Sequence, residues 1–405
     1  MGVAMDGYAG EKTGYGATYG AAAPSGAGAA VSPGTAGAVT SSVAAPASTA
    51  PQEDVWTIKR CLEWSEGYLG RHGEERPRLA AEWLLCAAVH KKRIELYVDF
   101  NQPMTMEERS VVREGLRRRV AGEPLQYITG ETAFRQLDII CEPGVLIPRP
   151  ETELLCEFVL DYIDRTVLHR DAEEERCARA ALPWNAEVER LRAAEEAARA
   201  AEPGSSAAGS EAGELPGQDD EAGALPAPEP RTARVFEVGC GTGCISLSLA
   251  AERPGRVTCV ATDVEPRAIS LAERNRERAG IAADAVEVRE GDLVRPMRPE
   301  ERETFDVLVS NPPYIPSGVM ATLPREVSAF EPHLALDGGA DGLDVFRRLL
   351  DAAPDVLRQG GLFACELFED ATEPAAELCR QAGMADVRVA SDLTGRPRFV
   401  LAQLP

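Results

Sequence analysis

Val235-Phe236-Glu237-Val238 is a run of strand-forming residues that breaks into Gly239-Cys240-Gly241-Thr242-Gly243 and then into helix-forming residues 245–251. Strand, glycine turn and helix in that order open a doubly wound α/β sheet. Gly239 and Gly241 permit a tight turn and close backbone approach of a ligand, and the helix N-terminus behind them presents unpaired N–H groups to a carboxylate or phosphate. Taken alone, such a turn fits plain packing of a helix on a sheet equally well. Twenty positions after Gly243 the apolar run 257–261 leads to Asp263, whose carboxylate can grip ribose hydroxyls or cap the next helix. Residues 268–277 then read as helix and 285–288 as a third strand. Gly291-Asp292 follows, where an adenine lies if a nucleoside cofactor spans the first three strand ends.

A second constraint is Asn311-Pro312-Pro313-Tyr314, set directly after the apolar run 305–309. Each proline forces the residue before it out of the helical region, so the tetrapeptide is extended and stiff before any ligand arrives. The Asn311 side-chain oxygen and the Pro312 carbonyl can both accept hydrogen bonds from one NH2 group, with the Tyr314 ring beside it. The alternative is a rigid loop that merely closes a strand.

These residues, together with Pro124-Leu125-Gln126-Tyr127-Ile128-Thr129-Gly130-Glu131, Gly144-Val145-Leu146-Ile147-Pro148-Arg149-Pro150-Glu151-Thr152-Glu153, and the run from Glu331 through Gly338-Gly339-Ala340-Asp341-Gly342, resemble the peptide chain release factor glutamine methyltransferases. The likeness covers residues 55–162 and 231–405. It implies a class I S-adenosylmethionine methyltransferase fold preceded by a small helical bundle and a linking β-hairpin. It implies S-adenosylmethionine as cofactor, bound by Gly239, Cys240, Gly241, Thr242, Gly243, Asp263, Asp292, Leu293 and Asn311. Asn311, Pro312 and Tyr314 are the implied catalytic residues, and Pro313 completes the substrate-binding turn. The implied substrate is the glutamine of the Gly-Gly-Gln motif of bacterial class I release factors, methylated on its amide nitrogen in support of translation termination. Leu293 stands where relatives often carry an aromatic residue. Glu366-Leu367-Phe368-Glu369 replaces a more usual Glu-Ile-Gly pattern, and Arg396-Pro397-Arg398 a more usual Arg-Asp-Arg.

Composition divides the 405 residues further. Residues 1–54 are rich in Ala, Gly, Ser, Thr and Pro and read as a disordered tail without the basic start of a signal peptide. Residues 165–230 read as an acidic, flexible insertion: from 166 to 230 there are 6 Arg and no Lys against 15 acidic residues, a net −9 within the overall −23. Residues 55–122 show helical periodicity at 55–69, 79–90 and 106–120 and read as a helical docking domain, followed by a hairpin linker and a first catalytic-domain helix over 123–164. The hairpin is expected within 133–147 and the helix from Glu151 after Pro150. Residues 231–405 read as the cofactor-binding catalytic domain. Trp64 and Trp83 are expected to fill the bundle core, although with Tyr97 they also suit an interface. Arg117-Arg118-Arg119 reads as a solvated helix face. Arg149 and Glu151 suit either the cleft between domains or a local cap with an ion pair.

Ten cysteines lie without Cys-x-x-Cys spacing and four histidines are far apart, so no metal site is expected. No apolar run approaches the ~18 residues of a membrane span. A cytoplasmic protein without membrane contact is the expectation. An adenine N6 methyltransferase on DNA or RNA is the nearest alternative, because the diproline turn holds an exocyclic amino group by the same logic. The acidic balance and the lack of a basic recognition segment argue against direct nucleic-acid binding. A noncatalytic cofactor-binding scaffold is the third reading, and the intact Asn311 and glycine turn disfavour it.

Overall fold

The computed structural model describes residues 55–169 and 231–405, so the expected tail and most of the expected insertion lie outside the described residues. Five helices open the described chain: α1 (Ile58–Arg71), α2 (Pro77–Val89), α3 (Arg93–Val98), α4 (Met106–Val120) and α5 (Leu125–Thr129). Thr105 and Glu108 form a reciprocal cap at the start of α4, each side chain accepting from the other's backbone N–H, at 3.1 and 2.7 Å. α3 and α5 span 6 and 5 residues, too short to register as periodicity.

The tryptophans do not fill the bundle core. Trp64 is 46% exposed and Trp83 41%, while Ile58, Leu62, Leu85, Leu96 and Leu116 close the interior. Ala80, Ala81 and Gly115 let the helices approach so closely that a Cβ on Gly115 would stand 2.8 Å from Leu84, which leaves no volume for an indole. The arginine run is also less solvated than expected. Arg119 is largely buried and bonds Glu74 at 2.6 Å and Glu326 at 2.9 Å, the latter on the short helix at 325–328, because the end of α4 turns toward the catalytic domain.

The linking hairpin, β1 (Glu131–Phe134) with β2 (Leu137–Ile140), begins and ends earlier than expected. Pro143, Pro148 and Pro150 lack N–H groups and hold 141–151 in turns and extended chain. α6 (Thr152–Tyr162) follows, with Glu151 as its N-cap, and continues into a π-turn over Ile163–Val167. Val167 and Leu168 are buried against the sheet, so the ordered core passes the expected insertion boundary at 165.

Among the described residues seven strands form the main sheet: β3 (Ala233–Val238), β4 (Val257–Asp263), β5 (Val286–Glu290), β6 (Phe305–Ser310), β7 (Leu357–Glu366), β8 (Ala385–Ser391) and β9 (Pro397–Gln403). Their spatial order is β5-β4-β3-β6-β7-β9-β8, parallel except for the antiparallel β9. α6, α7 (Cys244–Glu252) and α8 (Pro266–Arg278) cover one face, and α10 (Asp344–Val356) and α11 (Thr372–Gln381) the other, with α9 being the short helix Arg325–Ser328. Strand alternation explains the apolar runs: Val235, Val307 and Leu362 point to the first face, and Phe236, Leu308 and Phe363 to the second. Strand order reverses between β3 and β6, and Val238 lies opposite Ser310, so Gly239 and Asn311 leave the sheet side by side.

Candidate active site

A cavity of about 300 Å³ lies at the carboxyl ends of β3 to β6, where the strand order reverses. Gly239, Gly241 and Gly243 all have positive φ, at 70°, 54° and 81°. The Gly239 and Cys240 N–H groups both donate to the Thr262 carbonyl at 2.8 and 3.0 Å, folding the turn back over β4. A Cβ on Gly243 would press on Ala272 at 3.1 Å, so glycine there permits close packing of α7 on α8. Burial pushes the Cys240 thiol well above its ordinary value, which leaves it neutral and unsuited to nucleophilic work.

Glu237 is the clearest residue that sequence reasoning passed over. It is buried in β3 and lines the cavity. Its Oε2 accepts the Ser246 N–H at 2.9 Å and the Ser246 hydroxyl, whereas Oε1 has no hydrogen-bond partner among the described residues. Burial pushes its carboxyl up to about 7, against the pull of the Ser246 bonds. A buried carboxylate oxygen without a partner, on a residue that lines a cavity, is the chemistry that receives an ammonium group, and the amino-acid end of S-adenosylmethionine carries one. The visible signal was a lone carboxylate within the otherwise apolar run Val235 to Val238.

Asp263 closes β4 and lines the same cavity. Its carboxylate accepts from the N–H groups of Gly241 and Glu265, both at 2.9 Å, and so ties the glycine turn to the next loop. Glu265, not Asp263, is the N-cap of α8. Burial raises the Asp263 carboxyl, partly offset by those backbone bonds, and each oxygen retains a lone pair for a hydroxyl donor. Asp292 and Leu293 form the next part of the wall. Asp292 is held by Arg348 of α10 at 2.7 and 2.8 Å. Leu293 adopts a left-handed φ of 53°, and its carbonyl accepts the Thr262 hydroxyl at 2.9 Å, which pins that conformation.

Asn311, Pro312 and Pro313 form the opposite wall. The chain just beyond them is zipped to a glycine-rich loop: the Ile315 N–H donates to Leu336 O at 2.9 Å and the Gly338 N–H to Ile315 O at 2.8 Å. Gly338 lies so close that a Cβ would stand 2.7 Å from Pro313 O and 2.8 Å from Tyr314 Cα, and a Cβ on Gly342 would collide with Tyr314 O. Tyr314 is not among the cavity-lining residues. It packs instead against the buried cluster under α10. Asn311 and the glycine turn are therefore brought together at one cavity, and Tyr314 is not part of its lining.

Arg149 lines the cavity and binds both oxygens of the buried Glu331 at 2.6 and 2.7 Å, while Glu151 neither lines it nor makes a side-chain cap. That bond holds the loop carrying Pro332, Leu334 and Ala335 against the rim. Asn275 was also passed over: from α8 its amide bonds Thr242 O at 2.9 Å and both backbone groups of Ile140, stitching the glycine turn to the hairpin. Nothing local distinguishes it from any other polar helix residue.

Residues 60–130 match the family model described as the PrmC N-terminal domain, and residues 223–323 that of the methyltransferase small domain. The release factor glutamine methyltransferase of Geobacter sulfurreducens is 36% identical over 308 residues, covering 76% of this chain and 83% of that protein. That of Moorella thermoacetica is 33% identical over 308 residues, covering 76% and 84%. That of Chlorobaculum tepidum is 32% identical over 320 residues, covering 77% and 85%. With a helical bundle, a linking hairpin and an S-adenosylmethionine-binding sheet in one chain, the protein belongs to the release factor glutamine methyltransferase family.

Proposed function

We propose that this enzyme methylates the side-chain amide nitrogen of the glutamine in the Gly-Gly-Gln motif of bacterial class I release factors. The observation that carries the reading is the convergence of the glycine turn and the diproline turn on one cavity. Bound S-adenosylmethionine supplies an electrophilic methyl group on a sulfonium. An amide nitrogen is a poor nucleophile because its lone pair is delocalised, so the protein contributes mainly by positioning, an effect worth up to about 7–11 kcal/mol in favourable systems.

Glu237 receives the ammonium, Asp263 the ribose hydroxyls, and the wall at Asp292 and Leu293 the adenine. The backbone of Gly239 to Gly243 allows close approach. Across the cavity, Asn311 Oδ1 and the Pro312 carbonyl accept the two amide N–H groups of the glutamine. These acceptors bind more strongly as the nitrogen gains positive character, so they act on the transition state more than on the ground state. Tyr314 acts by supporting this turn. No general base is required of the protein, since water can take the proton.

Residues 55–122 are assigned to docking of the release factor, 123–164 to the linker and first catalytic helix, and 231–405 to cofactor binding and catalysis. The assigned compartment is the cytoplasm, where termination takes place. Among the described residues no helix is long and apolar enough to cross a membrane. Incubation with labelled S-adenosylmethionine and, separately, a release factor, DNA and RNA tests the proposal. Label is expected on the release factor and lost when its Gly-Gly-Gln glutamine is replaced; label on nucleic acid instead would overturn it.

A further inference from the structure

An asparagine can present either its oxygen or its NH2 to a ligand, and only the oxygen suits an incoming amide N–H. Something must choose between the two faces. The Asn311 Nδ2 group donates to Thr152 Oγ1 at 3.1 Å, and the Thr152 hydroxyl donates to Glu366 Oε2 at 2.7 Å. Thr152 is at the first turn of α6 and Glu366 at the end of β7; both are buried. A hydroxyl has one hydrogen. In its ionised form Glu366 can only accept, so it takes that hydrogen and leaves Thr152 Oγ1 free only to accept in turn. Oγ1 then selects the NH2 side of Asn311, and Oδ1 is turned away from Thr152.

The geometry points to Thr152 as a positioning residue that, held by Glu366, locks the Asn311 carboxamide with its oxygen toward the substrate amide. Thr152 makes no proposed contact with the reacting atoms. The inference rests on the reading of Asn311 as the acceptor of the glutamine amide. Without the hydroxyl, Asn311 is free to turn its NH2 toward the substrate NH2, setting donor against donor, and productive alignment is lost while the remote contacts of the release factor remain.

Thr152→Val keeps the shape and deletes the hydroxyl, whereas Thr152→Ser keeps the hydroxyl and deletes a methyl group. Turnover of a release factor is measured for both, alongside Asn311→Ala, with S-adenosylmethionine affinity by calorimetry and the melting temperature taken on the same preparations. Thr152→Val is expected to lower kcat on the order of 10²-fold. The KM for the release factor and the cofactor Kd should stay within about twofold, since Thr152 itself is assigned no contact with either and the remote contacts of the release factor remain. Thr152→Ser should recover most of the activity. A purely packing role predicts the opposite ranking, with Val near wild type and Ser impaired. If Thr152→Val folds poorly, Thr152→Ala, which also lacks the hydroxyl but leaves a void, should show the same loss of kcat on the order of 10²-fold, and wild-type kcat in it would equally overturn the inference. Wild-type kcat in Thr152→Val, or a Ser variant as slow as Val, would overturn the inference while a dead Asn311→Ala variant left the reading of Asn311 standing. An active Asn311→Ala variant would overturn both.

Discussion

Glu237 joins the cofactor reading to a measurable titration. The residue lines the cavity, its buried Oε1 has no hydrogen-bond partner among the described residues, and burial pushes its carboxyl up to about 7. An ammonium binds the ionised form, so cofactor affinity should fall as pH drops from 7 toward 5, approaching about tenfold per pH unit at the limit. Glu237→Gln should weaken binding by roughly 10- to 100-fold at pH 7.5, the loss of a charge-assisted hydrogen bond, and flatten that dependence. Calorimetry at several pH values checks both; a Gln variant with unchanged affinity would remove the role given to Glu237.

At the scale of elements, the diproline turn owes its position to the loop that backs it. Gly342 has a φ of 79° and would drive a Cβ into Tyr314 O, whereas Gly383, also at 79° and placed between α11 and β8, has nothing within 4 Å of its Cβ position. The two therefore separate backbone strain from collision. Gly383→Ala should cost about 1 kcal/mol of stability and leave turnover intact. Gly342→Ala should cost at least ~1 kcal/mol more and cut kcat while cofactor affinity changes little, because the displaced Tyr314 carbonyl belongs to the chain that directly continues Asn311, Pro312 and Pro313. Denaturant melts and steady-state kinetics on the pair decide it; equal kcat in both variants would show that the loop does not set the turn.

Across the whole molecule, the bundle, hairpin and sheet are joined by Arg119 on Glu326, Arg149 on Glu331 and Asn275 on Ile140, so the cavity depends on contacts between residues more than a hundred positions apart. Two buried carboxyls also tie global stability to pH. Burial moves both Glu237 and Glu366 from an ordinary 4.5 to about 7. Between those values the folded chain keeps protons that the unfolded chain has released. Their stabilising contribution is complete below about pH 4.5 and is lost as pH rises through 7, at up to about 1.4 kcal/mol per pH unit for each group. Glu366→Gln never ionises, so it should gain on the wild type between pH 5 and 8. Urea melts across that range check the sign, and a constant difference between the two proteins would contradict it.

Local chemistry was enough to reveal the sheet, the glycine turn, the diproline turn and Asp263, because strand runs, glycines and prolines act through their own backbone whatever surrounds them. The α4 boundaries were legible for the same reason, since Thr105 and Glu108 cap the helix within one turn. The fate of Trp64 and Trp83 was not legible, because small residues on neighbouring helices had already removed the space an indole needs. Nor was the link from Asn311 through Thr152 to Glu366, three residues spread over more than two hundred positions. Hydrogen-bond direction is a property of partners, and only the packing of α6 against the ends of β6 and β7 assembled them.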